Sequence, residues 1–318
     1  MHDPLGESFP QRPVGRTALT VPTLGLGTAP FSRDVTEAVA VETVGAALAA
    51  GARFIDTAPL YGAGRAERFV GVALRGVPRD SYILATKVGR RFDQEGGAVR
   101  FDYSRDGVLR SIEGSLNRLG IDRIDILHIH DPDNHYREAL ENAYPTLAEL
   151  RDQGVIGAVG AGMNQWQMEA DFARDAAFDC FLLAGRYTLL EQTALDTFLP
   201  LCQGKPIGIF GGGVYNSGIL ATGVQPGATY NYAPAPPAIA ERVARLAASC
   251  DRHGVALQTA AARFPLAHPA ITALLIGARS PAEYADTIAA LRTPIPPALW
   301  ADLKAEGLLH PDAPVPTS

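Results

Sequence analysis

Eight times along this chain a short apolar run rich in β-forming residues is followed by a segment with helical spacing, and that alternation limits the fold more than any single motif. The apolar runs fall at residues 23–29, 52–56, 82–88, 124–130, 155–161, 180–183, 206–210 and 272–276. The helical segments fall at 34–50, 65–74, 104–119, 136–153, 165–176, 193–202, 238–253 and 281–291, the first opening on Asp34, which can cap a helix. In the third of them Val108, Ile112, Leu116 and Leu119 share one face. Eight such units predict a closed (β/α)8 TIM barrel rather than an open doubly wound sheet, which usually has fewer strands and a Gly-rich first turn. Residues 16–22 alternate like a short hairpin and are placed under the barrel floor, and residues 298–308 read as a last helix outside it. The loop 211–237 is long enough to be a functional flap. Nothing inside the chain looks like a linker, so residues 1–318 are expected to form a single α/β domain.

Composition sets outer limits. With 318 residues and 47% apolar side chains the chain can bury a large core, and a formal charge of -6 gives no reason to expect nucleic acid or another polyanion as partner. Cys180, Cys202 and Cys250 are odd in number and widely spaced, which fits buried thiols in a reducing compartment better than a disulfide framework. Residues 1–16 lack the apolar stretch of a secretory signal, and no run reaches the roughly eighteen apolar residues of a membrane span. A cytoplasmic protein without a membrane partner is the expectation.

Polar residues close several of the apolar segments. In RFIDTAPLYG, SYILATKVG and DILHIHDPD they are Asp56 with Tyr61, Lys87, and His130. If these runs are consecutive parallel strands, all four residues emerge at carboxyl ends, where such a barrel carries its chemistry. Taken singly, each has an ordinary structural reading: a cap for Asp56, a strand-end side chain for Lys87, a core aromatic for Tyr61, a satisfied histidine for His130. Together they suit the oxidation of a carbinol, in which loss of a hydride must be matched by loss of the hydroxyl proton. A free tyrosine, with a pKa of about 10, is a poor base at neutral pH. A nearby Lys87 ammonium is expected to lower the Tyr61 pKa, Asp56 to hold that ammonium charged, and His130 to bond the reacting oxygen.

Longer segments carry a resemblance. GARFIDTAPLYGAGRAERFVGVAL, ILATKV, IDILHIHDPD, GVIGAVGAGMNQW and LLIGARSPAEYADTIAAL occur in the order and spacing of the aldo-keto reductase family, and the chain resembles it from about residue 19 to residue 291. Within the family it is similar to the branch that oxidises sugars at the anomeric carbon, the D-threo-aldose 1-dehydrogenases, also called L-fucose or L-galactose dehydrogenases. The resemblance implies a nicotinamide cofactor across the barrel mouth and Asp56, Tyr61, Lys87 and His130 as catalytic tetrad. It also implies oxidation of an aldose of L-fucose, L-galactose or D-arabinose type to the aldonolactone, with a pyridoxal dehydrogenase as the alternative. Gly27 and Thr28 match the family's first strand end near the cofactor ribose. Asn164 matches its carboxamide-binding asparagine, with Met163 where serine is common, and Ala184 stands where glutamine is common. Phe210 matches the ring that stacks on the nicotinamide, and Gly211, Gly212 and Gly213 follow it as backbone donors for pyrophosphate.

NADP-preferring relatives place a lysine just after the last strand and an arginine six positions later; Gly277 and Glu283 stand there instead. A carboxylate repels a 2′-phosphate and accepts a bond from a 2′-hydroxyl, so NAD is the expected cofactor, with Arg279 leaving NADP as an alternative. Phe31, Asp131 and Trp166 are the candidates for the substrate wall, and the expected partner is a small sugar or aldehyde. Two rival classes keep the barrel. His128 and His130 face the same side of one strand and precede Asp131, Asp133 and His135, a pattern that metal-dependent hydrolases also use. The next two strands, ending in AVGAG and LLAG, offer no further ligand, so no metal is expected. A non-catalytic cofactor-binding protein would keep the glycines without needing the complete tetrad.

Overall fold

Eight parallel strands close a barrel in the computed structural model, which describes residues 9–33, 35–92 and 97–317. In chain order they are Leu24–Gly27, Phe54–Asp56, Ile83–Val88, Ile126–His130, Ala158–Met163, Cys180–Ala184, Gly208–Gly212 and Ile271–Gly277, each bonded to the next and the eighth to the first. The fifth and seventh start later and run two residues further than their apolar runs suggest, because Ile156 and Ile207 are buried before their strands begin.

Side chains alternate across a strand, and the alternation sorts this barrel cleanly. Phe54, Ala85, Ile126, Ala158, Cys180, Leu182, Phe210, Ala273 and Leu275 form one inner cluster. Leu84, Leu127, Val159, Phe181, Ile209 and Leu274 belong to the outer cluster that the helices cover. The hairpin of Gln11–Pro13 with Thr20–Pro22 adds Val14 and Val21 to the inner cluster, and Gly15 lies against the carbonyls of Asp179 and Pro206, so a hairpin closes the floor as expected but begins five residues before the predicted residue 16.

The helices depart from expectation in several places, the sixth running Phe198–Gly204 rather than from residue 193. Helix Glu37–Ala49 is capped by Thr36, whose side chain accepts from the Val39 N–H, while Asp34 lies outside the described residues. The fourth helical segment contains a π turn at Ala139–Ala143 between Tyr136–Glu138 and Tyr144–Asp152, where Pro145 has no N–H to give. Before the eighth strand, Leu257–Arg263 packs on Pro281–Arg292, whereas the expected helix, Pro237–Arg252, packs on Leu257–Arg263 and on the last helix, Pro297–Ala305. Seven residues are too few to show a helical period. The loop after the seventh strand holds a short helix, Ile219–Thr222, and a hairpin of Thr229–Tyr230 with Ala233–Pro234, turned by Asn231 and Tyr232 at positive φ. Among the described residues no helix is long and apolar enough to cross a membrane, and all three cysteines are free and buried.

Candidate active site

Continuing the inner parity to the carboxyl ends gives one inward position per strand: Gly27, Asp56, Lys87, His130, Gly162, Ala184, Gly212 and Gly277. The second, third and fourth strands thus put ionisable groups at the mouth, and the other five, contiguous around the barrel, put almost nothing there.

On the polar side, Lys87 Nζ lies 2.6 Å from Asp56 Oδ2 and donates to the Thr57 carbonyl at 2.9 Å. Both charged side chains are buried, and Asp56 Oδ1 has no partner. Tyr61, in the turn after the second strand, has its ring centroid 4.8 Å from Lys87 Nζ. The His130 ring meets the Tyr61 ring edge-on at 5.9 Å. Tyr61 is half-buried and borders a cavity of about 320 Å³ that reaches Ser32, Arg33 and Phe92. The four residues predicted to act together are therefore together.

Their electrostatics correct one expectation. Burial pushes the Tyr61 phenol up to about 12; the Lys87 ammonium pulls it down by less, and the Asp56 carboxylate adds to the rise. In the free protein Tyr61 is therefore a proton holder rather than a phenolate, because desolvation of the anion outweighs one neighbouring cation. Burial works against the charge on Lys87 too, but Asp56 and Tyr61 outweigh it and keep the ammonium protonated. Burial raises Asp56, with Lys87 pulling it back. Burial and then the charges of Lys87 and Arg90 hold His130 well below its ordinary value, so its imidazole is neutral.

On the bare side the space left at the rim differs from strand to strand. A methyl added at Gly27 would meet nothing closer than 3.6 Å, and one at Gly162 nothing closer than 3.4 Å, so packing within the protein does not demand glycine at either position. Gly212 and Gly277 are tighter, at 3.1 Å from Leu182 and 2.9 Å from Pro30. Asn164, just past the fifth strand, is half-buried and donates to the Ala184 carbonyl at 3.1 Å. Gly213 turns the chain out of the seventh strand at φ 58, and Gly211 faces outward against Leu274. Thr28 is buried and spends its hydroxyl on the Asp56 carbonyl at 3.0 Å, so it ties strand ends together. Glu283 accepts from Arg279 Nε at 2.9 Å and from its backbone N–H at 2.8 Å.

Two expected contact residues are in the wrong place. Phe210 is fully buried in the inner cluster, edge-on to Phe54 at 4.9 Å and to His128 at 5.9 Å, and has no face for a nicotinamide. The seventh strand runs on to Gly212, which leaves Phe210 one pleat below the mouth. Phe31 is fully buried in the core and cannot line a substrate wall. Trp166 opens helix Trp166–Asp175 and is half-buried, and Asp131 is ion-paired with Arg90. Sequence reasoning missed Arg90 and Tyr103, which sit beyond the third strand; Gly89 between strand and Arg90 was the available signal, since its φ of 91 and its contact with the Tyr103 ring exclude a side chain. Among the described residues no three His, Cys, Asp or Glu side chains gather to hold a metal ion. His128 lies in the barrel interior, where burial pushes it down to about 3.

Residues 23–306 match the model of the aldo/keto reductase family. The chain belongs to this family. It is 38% identical to a pyridoxal 4-dehydrogenase of Microbacterium luteolum, over 94% of this chain and 98% of that one. It is 35% identical to a D-threo-aldose 1-dehydrogenase of a Pseudomonas species, over 92% and 96%. Its fold is similar to that of an aldo-keto reductase from Bacillus halodurans in the holo form, with a TM-score of 0.79 and 25% identity over 98% and 99% of the two chains. This aldo/keto reductase is accordingly an oxidoreductase of a family that uses NADH or NADPH.

Proposed function

We propose that this aldo/keto reductase, as one domain over residues 1–318, oxidises an aldose at its anomeric carbon to the aldonolactone with NAD. The observation that carries the reading is the Asp56–Lys87–Tyr61 cluster at the mouth, with His130 edge-on to the phenol and the opposite half of the rim bare. The aldose 1-dehydrogenase relative supports the substrate class. The pyridoxal 4-dehydrogenase relative favours a second reading, and the two share a chemistry: pyridoxal closes onto its own hydroxymethyl group, so each substrate is a cyclic hemiacetal whose oxidation yields a lactone.

Gly27, Asn164, Gly212, Gly213 and Gly277 would hold the dinucleotide along the bare side. Bound there, NAD supplies an acceptor for the C1 hydride and a positive ring charge that acts in the same sense as Lys87. Tyr61 takes the proton of the C1 hydroxyl, Lys87 stays protonated and stabilises the phenolate, and neutral His130 donates a hydrogen bond to the reacting oxygen. Arg279, which would otherwise meet a 2′-phosphate, is held by Glu283 at 2.7 Å, and that supports NAD over NADP. Buried free thiols fit a cytoplasmic setting.

The test is a spectrophotometric screen of L-fucose, L-galactose, D-arabinose and pyridoxal with each dinucleotide, together with Tyr61→Phe. Turnover of at least one sugar with NAD, lowered about a hundredfold or more in the variant while NAD affinity is kept, is the expected result. Retained turnover in Tyr61→Phe refutes the role of Tyr61, and turnover of pyridoxal alone moves the assignment to the second reading.

A further inference from the structure

Asp131 follows His130 directly and adopts a left-handed backbone at φ 39, a conformation that a non-glycine residue keeps only when its surroundings impose it. Here the surroundings do. Its N–H donates to the Gly162 carbonyl at 3.0 Å, and the buried Tyr103 phenol donates to the carbonyls of His130 and Asp131 at 2.7 and 3.1 Å. The turn brings Asp131 Oδ2 to 3.7 Å from His130 Nε2, too long for a hydrogen bond yet close enough for a small rotation to make one. The other ring nitrogen, Nδ1, is buried without a partner. What occupies Asp131 Oδ2 instead is the Arg90 guanidinium, which also lies 5.6 Å over the Phe101 ring.

We propose that Arg90 is a positioning residue: by holding the Asp131 carboxylate it keeps His130 Nε2–H free for the reacting oxygen. The inference rests on the donor role given to His130 above. Besides Arg90, the charged and titratable groups around the two residues are Lys87, Tyr61 and His128 on the barrel side and Tyr103, Asp133 and Glu169 outside it. Without Arg90, Asp131 loses the ion-pair partner that offsets the rise burial gives its pKa, and the carboxylate fraction that remains faces His130 Nε2 at 3.7 Å. Closing the gap occupies the Nε2–H, and a facing carboxylate favours the imidazolium.

The experiment is a double-mutant cycle of Arg90→Met and Asp131→Asn, with Arg90→Lys as the conservative variant. Arg90→Met should lower kcat about tenfold or more with little change in KM, Arg90→Lys should restore part of it, and the effect of Arg90→Met should vanish in the Asp131→Asn background. The second arm needs no substrate: the His130 Cε1 signal of ¹³C-histidine-labelled protein should titrate at a higher pH in Arg90→Met than in the parent and the double variant. A His130 signal in folded Arg90→Met that responds to pH as in the parent, or an Arg90→Met effect that is unchanged by Asp131→Asn, overturns the proposal. A titration raised in this way without turnover of any sugar or pyridoxal keeps it and counts only against the substrate reading.

Discussion

Replacing Lys87 by Met removes the cation that faces the Tyr61 phenol from inside the barrel, and the loss can be sized. At the 4.8 Å separation of Lys87 Nζ from the ring centroid, a unit charge is worth about 3 kcal/mol with an effective dielectric of about 20. That energy corresponds to about a hundredfold less phenolate at any pH below the phenol pKa. Because burial already pushes Tyr61 up to about 12, the variant cannot recover by ionising within a practical range. Its kcat should therefore fall about a hundredfold at neutral pH and still be rising at the most alkaline pH the fold survives. A structural effect runs alongside, since Asp56 is left buried and alone. A broken buried pair costs about 3–5 kcal/mol if the remaining charge persists, and less here, because burial already favours the protonated Asp56. Adding Asp56→Asn separates the two effects: Tm should return toward the parent while kcat stays low. Steady-state kinetics across pH and thermal denaturation are sufficient assays. A Lys87→Met enzyme within about threefold of the parent kcat would refute the argument.

Other expectations test the remaining assignments. Phe210→Ala should cost about 3–5 kcal/mol of stability and leave NAD affinity within about threefold; lost affinity at unchanged Tm would return Phe210 to the cofactor. Glu283→Gln should free Arg279 and raise the ratio of kcat/KM with NADP to that with NAD by about tenfold, and an unchanged ratio would remove Glu283 from cofactor choice. Burial lowers His268 from the ordinary 6.5 to about 4, so folding excludes its proton. Its contribution is complete above about pH 6.5 and is lost as pH falls toward 4; His268→Gln should flatten the acid limb of a stability profile by up to about 1.4 kcal/mol per pH unit, and a parallel limb would count against it. Gly27→Ala should hold or raise Tm, since among the described residues beyond its chain neighbours the added methyl meets no atom nearer than 3.6 Å, while weakening NAD binding. Equal affinity would show that the dinucleotide does not lie there.

The barrel was legible because alternation in a closed parallel sheet leaves a long-range mark on the sequence: all eight strands overlap apolar runs, and the residues at their polar ends were in view from the start. Strand ends were harder to read. A parallel strand buried on both faces is apolar at its beginning as well as before it, so Ile207 drew the seventh run two residues too early and lifted Phe210 to a mouth position that belongs to Gly212. Phe31 failed for a related reason, since an aromatic in a loop next to the mouth packs under that loop as readily as over the mouth. The sign of the Tyr61 shift was not legible at all. Proximity of Lys87 follows from strand register, but how far desolvation outweighs that charge depends on burial in three dimensions.

The mouth divides its work around the circumference, and each half explains the other. An ion pair as enclosed as Asp56–Lys87 adds little to folding, because taking both charges out of water offsets most of their attraction. Glycine at Gly27 and Gly162, where an added methyl would fit, likewise gives up packing and chain stiffness that larger residues would supply. Neither feature is what stability alone would select, and they stand opposite each other at one end of the barrel. Both features fit the dinucleotide proposed above for that rim. A flat dinucleotide against the bare rim would bring its positive ring toward Tyr61 and add to the attraction of Lys87, which alone leaves the phenol up at about 12. If the dinucleotide lies there as proposed, the phenol would act as a base only when the bare half is filled, and cofactor binding and proton acceptance would be one electrostatic event rather than two.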